Sequence, residues 1–158
     1  MIEPARPESV FRVLLVEDDP DHAELVRRGL EDQHAPVDIT VLEDGEAALD
    51  FLRRRLPAAD EQRPHLILLD LRLPKMDGLQ VLRELKSVPE LRAIPCVVLT
   101  TSDAERDVAR AYELHANSYL VKPGDNERFT ELMGQVERYW LQSNRQPASL
   151  PVAVTTPQ

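Results

Sequence analysis

Leu66-Ile67-Leu68-Leu69-Asp70-Leu71-Arg72-Leu73-Pro74-Lys75-Met76-Asp77-Gly78 is the stretch from which the rest of this chain is best read. Four apolar residues run without interruption, which marks a strand buried on both faces, and they stop at a single acid, Asp70. Pro74 and the Asp77-Gly78 pair then turn the chain within a few residues. A carboxylate at the end of a buried strand costs free energy unless it is paired, metal-bound or chemically used.

The same pattern repeats on either side. Arg12 to Val16 is a short, mostly apolar run that ends in Glu17, Asp18 and Asp19. Pro20 suits the first turn of a helix with Asp19 as its N-cap, and Ala23, Val26 and Leu30 give that helix an apolar stripe. Val37, Ile39 and Val41 alternate with polar residues, as an edge strand does, before Asp44-Gly45 and a helix carrying Ala48, Leu49, Leu52 and Leu56. Pro57 to Pro64, with Asp60, Glu61 and Arg63, reads as a surface loop.

Beyond the Asp70 turn, the spacing predicts a helix from about Leu79 to Lys86, closed by Val88-Pro89. Cys96 to Leu99 forms a fourth strand ending in Thr100-Thr101-Ser102, and Ser102 and Glu105 have the spacing of a capping box. The helix they open carries Val108 and Ala111 and ends near Leu114. Tyr119 to Val121 is a fifth strand, stopped by Lys122-Pro123. A last helix, Asn126 to Trp140, places Phe129, Leu132, Met133, Val136 and Trp140 on one stripe. From Gln142 onward Pro, Ser, Thr and Gln dominate, so residues 142–158 read as a disordered tail, 1–9 as an extension and 10–141 as the one domain.

Five strand-then-helix units imply a parallel sheet with helices on both faces, and such sheets bind ligands at the carboxyl ends of their strands. The reactive residues fall at that edge: Glu17 and Asp18 after the first strand, Asp70 after the third, Thr100 after the fourth and Lys122 after the fifth. Three carboxylates in one crevice repel by roughly 4 kcal/mol per pair at about 4 Å and an effective dielectric constant of about 20. An all-oxygen set of this kind suits Mg²⁺, while Lys122 and the Thr100 hydroxyl suit a phosphoryl group. No Gly-rich phosphate loop is present, so a nucleotide is not the expected ligand.

The net charge of -9 argues against a nucleic-acid or anionic-membrane surface. No apolar run reaches the roughly 20 residues of a membrane span, and the first ten residues resemble no targeting signal, so a cytoplasmic protein is expected. Cys96 is the single cysteine and reads as a buried hydrophobe. The four histidines, His22, His34, His65 and His115, are scattered and read as solvated or capping residues. Arg53-Arg54-Arg55 reads as a solvated helix face, and Tyr139-Trp140 as core packing or a partner surface.

Taken in order, Glu17-Asp18, Asp70, Thr100 and Lys122-Pro123 in five β/α units resemble the receiver domain of two-component response regulators, over about Val10 to Trp140. The resemblance implies a flavodoxin-like, doubly wound sheet of order 2-1-3-4-5 with five flanking helices. It implies that Asp70 is the phospho-acceptor from a histidine kinase and that Asp18, Asp70 and the Arg72 backbone carbonyl hold Mg²⁺, with Glu17 acting through water. Thr100 and Lys122 would then meet the phosphoryl group, Thr100 and Tyr119 would form the switch, and the Lys122-Pro123 bond would be cis. Signalling would run through the fourth helix, fifth strand and fifth helix, a face also open to homodimerisation.

The Leu99-Thr100-Thr101-Ser102 run, the charged loop and the Tyr139-Trp140 ending are most similar to single-domain regulators partnered with bacterial phytochrome kinases. Several positions depart from the common pattern. Glu17 stands for the more frequent Asp, Thr101 for a smaller residue and His115 for a helix-ending glycine. By the same resemblance Arg72 and Ser102 would line the route of hydrolytic water, and a bulky Arg72 is expected to lengthen the phosphorylated lifetime. Two other readings stay open on the residues: a Mg²⁺-dependent phosphohydrolase, which would want an acid where Arg72 stands, and a pseudo-receiver that never carries phosphate. The cognate kinase and the downstream target are not written in the sequence.

Overall fold

The structure is a computed structural model and describes residues 10–31, 36–55 and 63–147. Its elements are β1 (Phe11–Val16), α1 (Pro20–Glu31), β2 (Val37–Leu42), α2 (Gly45–Arg54), β3 (Leu66–Leu69), α3 (Gly78–Ser87), α4 (Pro89–Arg92), β4 (Cys96–Thr100), α5 (Glu105–Glu113), β5 (Ser118–Val121) and α6 (Asn126–Val136). A π-helical segment, Glu137–Ser143, continues α6. The five strands are all parallel, in the order β2-β1-β3-β4-β5.

Strand residues alternate between two cores because successive side chains leave opposite faces. Val13 and Leu15 of β1, Leu66 and Leu68 of β3, and Val97 and Leu99 of β4 pack with Val26 and Leu30 of α1 and Phe129 and Met133 of α6. Leu14, Val16, Ile67, Leu69, Cys96 and Val98 pack with α2, α3, α4 and α5 through Leu49, Leu82, Leu91 and Ala111. Since α1 and α3 leave β1 and β3 for opposite faces, a crevice opens between these neighbouring strands at their carboxyl ends, the topological switch point.

Among the described residues six helices flank the sheet where five are expected. Pro89, read as a stop, opens the one-turn α4 instead, because the missing N–H and fixed φ of proline cost nothing at a first helical position. The Ser102–Glu105 capping box does not form. The N-cap of α5 is Ala104, and the Ser102 hydroxyl donates to Asp107 Oδ2 at 2.5 Å while accepting from the Ala104 amide at 3.3 Å. A capping box forms at α3, between Asp77 and Gln80. No peptide bond among the described residues is cis, so Lys122–Pro123 is trans, the X–Pro isomer favoured by about 0.5–1 kcal/mol.

His115 takes the left-handed conformation expected of a helix-ending glycine, with φ 72°. The π-helical segment spans the expected domain end at residue 141, and Gln146 Nε2 donates to the His65 carbonyl at 2.9 Å. The expected extension at 1–9, most of the 57–64 loop and residues 148–158 of the expected tail lie outside the described residues. Between β5 and α6 runs a groove lined by Leu120, Leu132, Val136, Tyr139 and Trp140. The Tyr139 and Trp140 rings meet edge to face there, 5.0 Å apart.

Candidate functional site

Four of the five strands, β1, β3, β4 and β5, deliver side chains to the crevice because their apolar runs end where the sheet ends. After β1, Glu17 is 2% exposed, and Asp18 is exposed at the mouth. After β3, Asp70 is 7% exposed. Thr100 closes β4 and is fully buried, and Lys122 follows β5 at 6% exposure.

Lys122 ties the site together. Its Nζ donates to Asp70 Oδ2 at 2.8 Å and to Glu17 Oε1 in a short contact. Asp70 Oδ1 accepts from the Arg72 amide at 3.2 Å, and Glu17 Oε2 from the Asp19 amide at 3.2 Å. Burial pushes the Asp70 carboxyl up, but the Lys122 bond and charge, the Arg72 amide and the Thr100 hydroxyl outweigh it and hold it below its usual range. For Glu17 burial wins over Lys122, and with the neighbouring Asp70 charge it lifts the carboxyl to about 7.

Glu17, Asp18 and Asp70 each present a carboxylate oxygen within 4.8 Å of the others. Three acids facing one ammonium form an oxygen-rich, net negative set, and that donor chemistry fits a hard divalent cation. Asp18, the exposed member, has no hydrogen bond or ion pair among the described residues. A cleft of about 530 Å³ opens over it, lined also by Arg72, Pro74, Arg106 and Asp107.

The loop between β3 and α3 closes tightly under Asp70. The Gly78 amide donates to the Leu71 carbonyl at 2.9 Å, and a Cβ at Gly78 would lie 2.2 Å from the Asp70 carbonyl oxygen. On the other side, Thr100 Oγ1 accepts from the Ser102 amide at 3.5 Å, and the half-buried Tyr119 donates its hydroxyl to the Ser102 carbonyl at 2.8 Å. Thr100 and Tyr119 are therefore joined through Ser102, next to the acid.

A family model for the response regulator receiver domain matches residues 13–133, most of the chain. The chain is a response-regulator receiver domain. The receiver is 46% identical over 140 residues to the probable methanogenesis regulatory protein FilR2 of Methanothrix harundinacea strain 6Ac, covering 89% of this chain and 90% of that protein. It is 42% identical over 137 residues to response regulator Rcp1 of Synechocystis sp. strain PCC 6803, covering 87% and 93%. The crystal structure of Mn²⁺-bound Rcp1 superposes with a TM-score of 0.80 over 87% of this chain and 99% of that one, at 41% identity. The phosphorylated cyanobacterial phytochrome response regulator RcpA gives a TM-score of 0.82 at 37% identity, over 88% and 99%.

The receiver fold and the five-stranded order agree with expectation, and every side chain anticipated at the strand ends reaches the crevice. One residue was missed. His22, read as solvated or capping, places its ring Nδ1 3.1 Å from Lys122 Nζ. Only its distance of five residues from Glu17, one turn into a helix capped by Asp19, could have suggested this.

Proposed function

We propose that this receiver accepts a phosphoryl group on Asp70 from a histidine kinase and signals by changing the surface formed by α5, β5 and α6. The supporting observation is that Asp70, lying at the sheet's switch point, meets Lys122, Thr100 and the Glu17–Asp18 acids. An oxygen of Asp70 forms the new P–O bond while the P–N bond of the donor phosphohistidine breaks, its electron pair leaving on the imidazole. Asp18, Asp70 and the Arg72 carbonyl, with Glu17 through water, would hold Mg²⁺. When bound, Mg²⁺ supplies charge neutralisation at the phosphoryl oxygens.

Lys122 lies where it can pair with the incoming dianion, and Thr100 where it can donate to it. Movement of Thr100 toward that charge would be transmitted through Ser102 to Tyr119. Arg72, which is exposed in the cleft, and Ser102 would tune the lifetime of the phosphorylated form. The likeness to RcpA, a cyanobacterial phytochrome response regulator, supports a phytochrome kinase as the partner, and the α5–β5–α6 face is the proposed homodimer contact.

Incubation with Mg²⁺ and a small phosphodonor tests the reading. An acid-stable, base-labile adduct present in the wild type and absent in Asp70→Asn supports it. Turnover of many phosphoesters would point to a phosphohydrolase instead, and no adduct at all to a pseudo-receiver.

A further inference from the structure

Lys122 is nearly inaccessible to water, so the protein itself must satisfy its three N–H donors. Asp70 Oδ2 and Glu17 Oε1 take two of them. The His22 ring supplies the remaining neighbour: Nδ1 lies 3.1 Å from Nζ and 3.6 Å from Glu17 Oε1. An ammonium has donors only, so across this contact Nδ1 is the acceptor and the ring proton sits on Nε2, 3.6 Å from Asp19 Oδ2. The ring is held on both sides. Asp19 Oδ1 caps the turn through the Asp21 amide at 2.9 Å and the His22 amide at 3.4 Å, and the Phe129 ring of α6 lies 5.9 Å from the imidazole.

We propose that His22 is a positioning residue for phosphoryl transfer, its Nδ1 fixing the Lys122 ammonium beside Asp70. This rests on the phospho-acceptor reading above. The argument is one of charge. A third carboxylate at this place would bind Lys122 more tightly but would repel the incoming phosphoryl group. A neutral nitrogen anchors the third N–H without adding negative charge, and it stays in place when Lys122 exchanges an Asp70 oxygen for a phosphoryl oxygen. With acetyl phosphate as donor, an Asp70 oxygen forms the P–O bond as the bond from phosphorus to acetate breaks. Acetate leaves with the electron pair, and no proton is taken from Lys122 or His22.

The test compares the full chain with His22→Asn and His22→Leu. Each is incubated with Mg²⁺ and acetyl phosphate and scored by phosphate-affinity electrophoresis, with Asp70→Asn as the blank. Asparagine offers Oδ1 near the place of Nδ1, whereas leucine fills the space without an acceptor. His22→Leu should slow the initial labelling about fivefold, the scale of one lost net hydrogen bond. His22→Asn should recover most of that rate.

Labelling of His22→Leu at the wild-type rate, or equal slowing of both variants, overturns the proposal. A wild type that is not labelled, or label surviving in Asp70→Asn, overturns the phospho-acceptor reading and this proposal with it. If His22→Leu does not fold, ¹⁵N NMR of the wild type decides. An unprotonated Nδ1 with a cross-peak from His22 to the Lys122 ammonium supports the contact, and a protonated Nδ1 excludes it.

Discussion

Glu17 and Asp70 share one ammonium yet titrate in opposite directions, and this gives the protein without bound cation a calculable pH response. Burial lifts Glu17 from 4.5 to about 7, so between those values the folded chain keeps a proton that the unfolded chain has lost. Its contribution to stability is complete below 4.5 and is lost as pH rises through 7. Asp70 is lowered from 3.8, so its contribution is present above 3.8 and is lost as pH falls through its folded value. Urea unfolding in chelator should show greatest stability between pH 3.8 and 4.5, a decline from 4.5 to about 7 as Glu17 gives up its proton, and a level profile beyond. Millimolar Mg²⁺ should flatten that decline, because a bound cation favours the carboxylate. A flat profile in chelator would refute the assignment to Glu17. Lys122→Ala should cost about 3–5 kcal/mol in chelator, since it strands two buried carboxylates. At this scale the sequence is informative wherever a polar residue ends an apolar run, as Glu17, Asp70, Thr100 and Lys122 do. His22 ends no run, and its role depends on a partner 100 residues away.

Among the elements, the β3–α3 loop tolerates no side chain at its end. A Cβ at Gly78 meets the Asp70 carbonyl oxygen at 2.2 Å and Leu71 Cα at 2.6 Å, both backbone atoms that cannot swing aside. Gly78→Ala should therefore lose about 1–3 kcal/mol and displace the Asp70 backbone, slowing adduct formation as well as lowering the denaturant midpoint. The opposite change is expected at His115, an exposed residue at φ 72°. His115→Gly relieves the left-handed strain and should gain about 0.5–1 kcal/mol in urea unfolding. The strands and long helices could be read because their periods differ. The short α4 was hidden because Pro89 serves equally as a stop and as a first residue. The π-helical segment carries no distinct apolar period, and there Glu137 is buried with Gln142 donating to both of its oxygens.

At the scale of the whole molecule, a short path of contacts leads from the crevice to one side of the sheet, Asp70 to Thr100, Thr100 to Ser102 and Ser102 to Tyr119, and it is the route proposed for the switch. Beryllofluoride, a phosphoryl mimic, should alter amide exchange in α5, β5 and the start of α6 more than in α2 and α3. Tyr119→Phe, which lacks the hydroxyl that grips the Ser102 carbonyl, should reduce that difference; equal effects on every helix would argue against the path. No helix of the described residues is long and apolar enough to cross a membrane.

The groove between β5 and α6 also holds Trp140, the sole tryptophan of the chain. Edge contact with Tyr139 leaves its indole half-covered, at the boundary between water and protein. The chain thus carries a native optical reporter on one face. Occupation of that face by a kinase fragment or a second copy would shift the emission to shorter wavelength, and docking elsewhere would leave the spectrum unchanged. A binding titration can in this way locate its own contact surface without an attached dye.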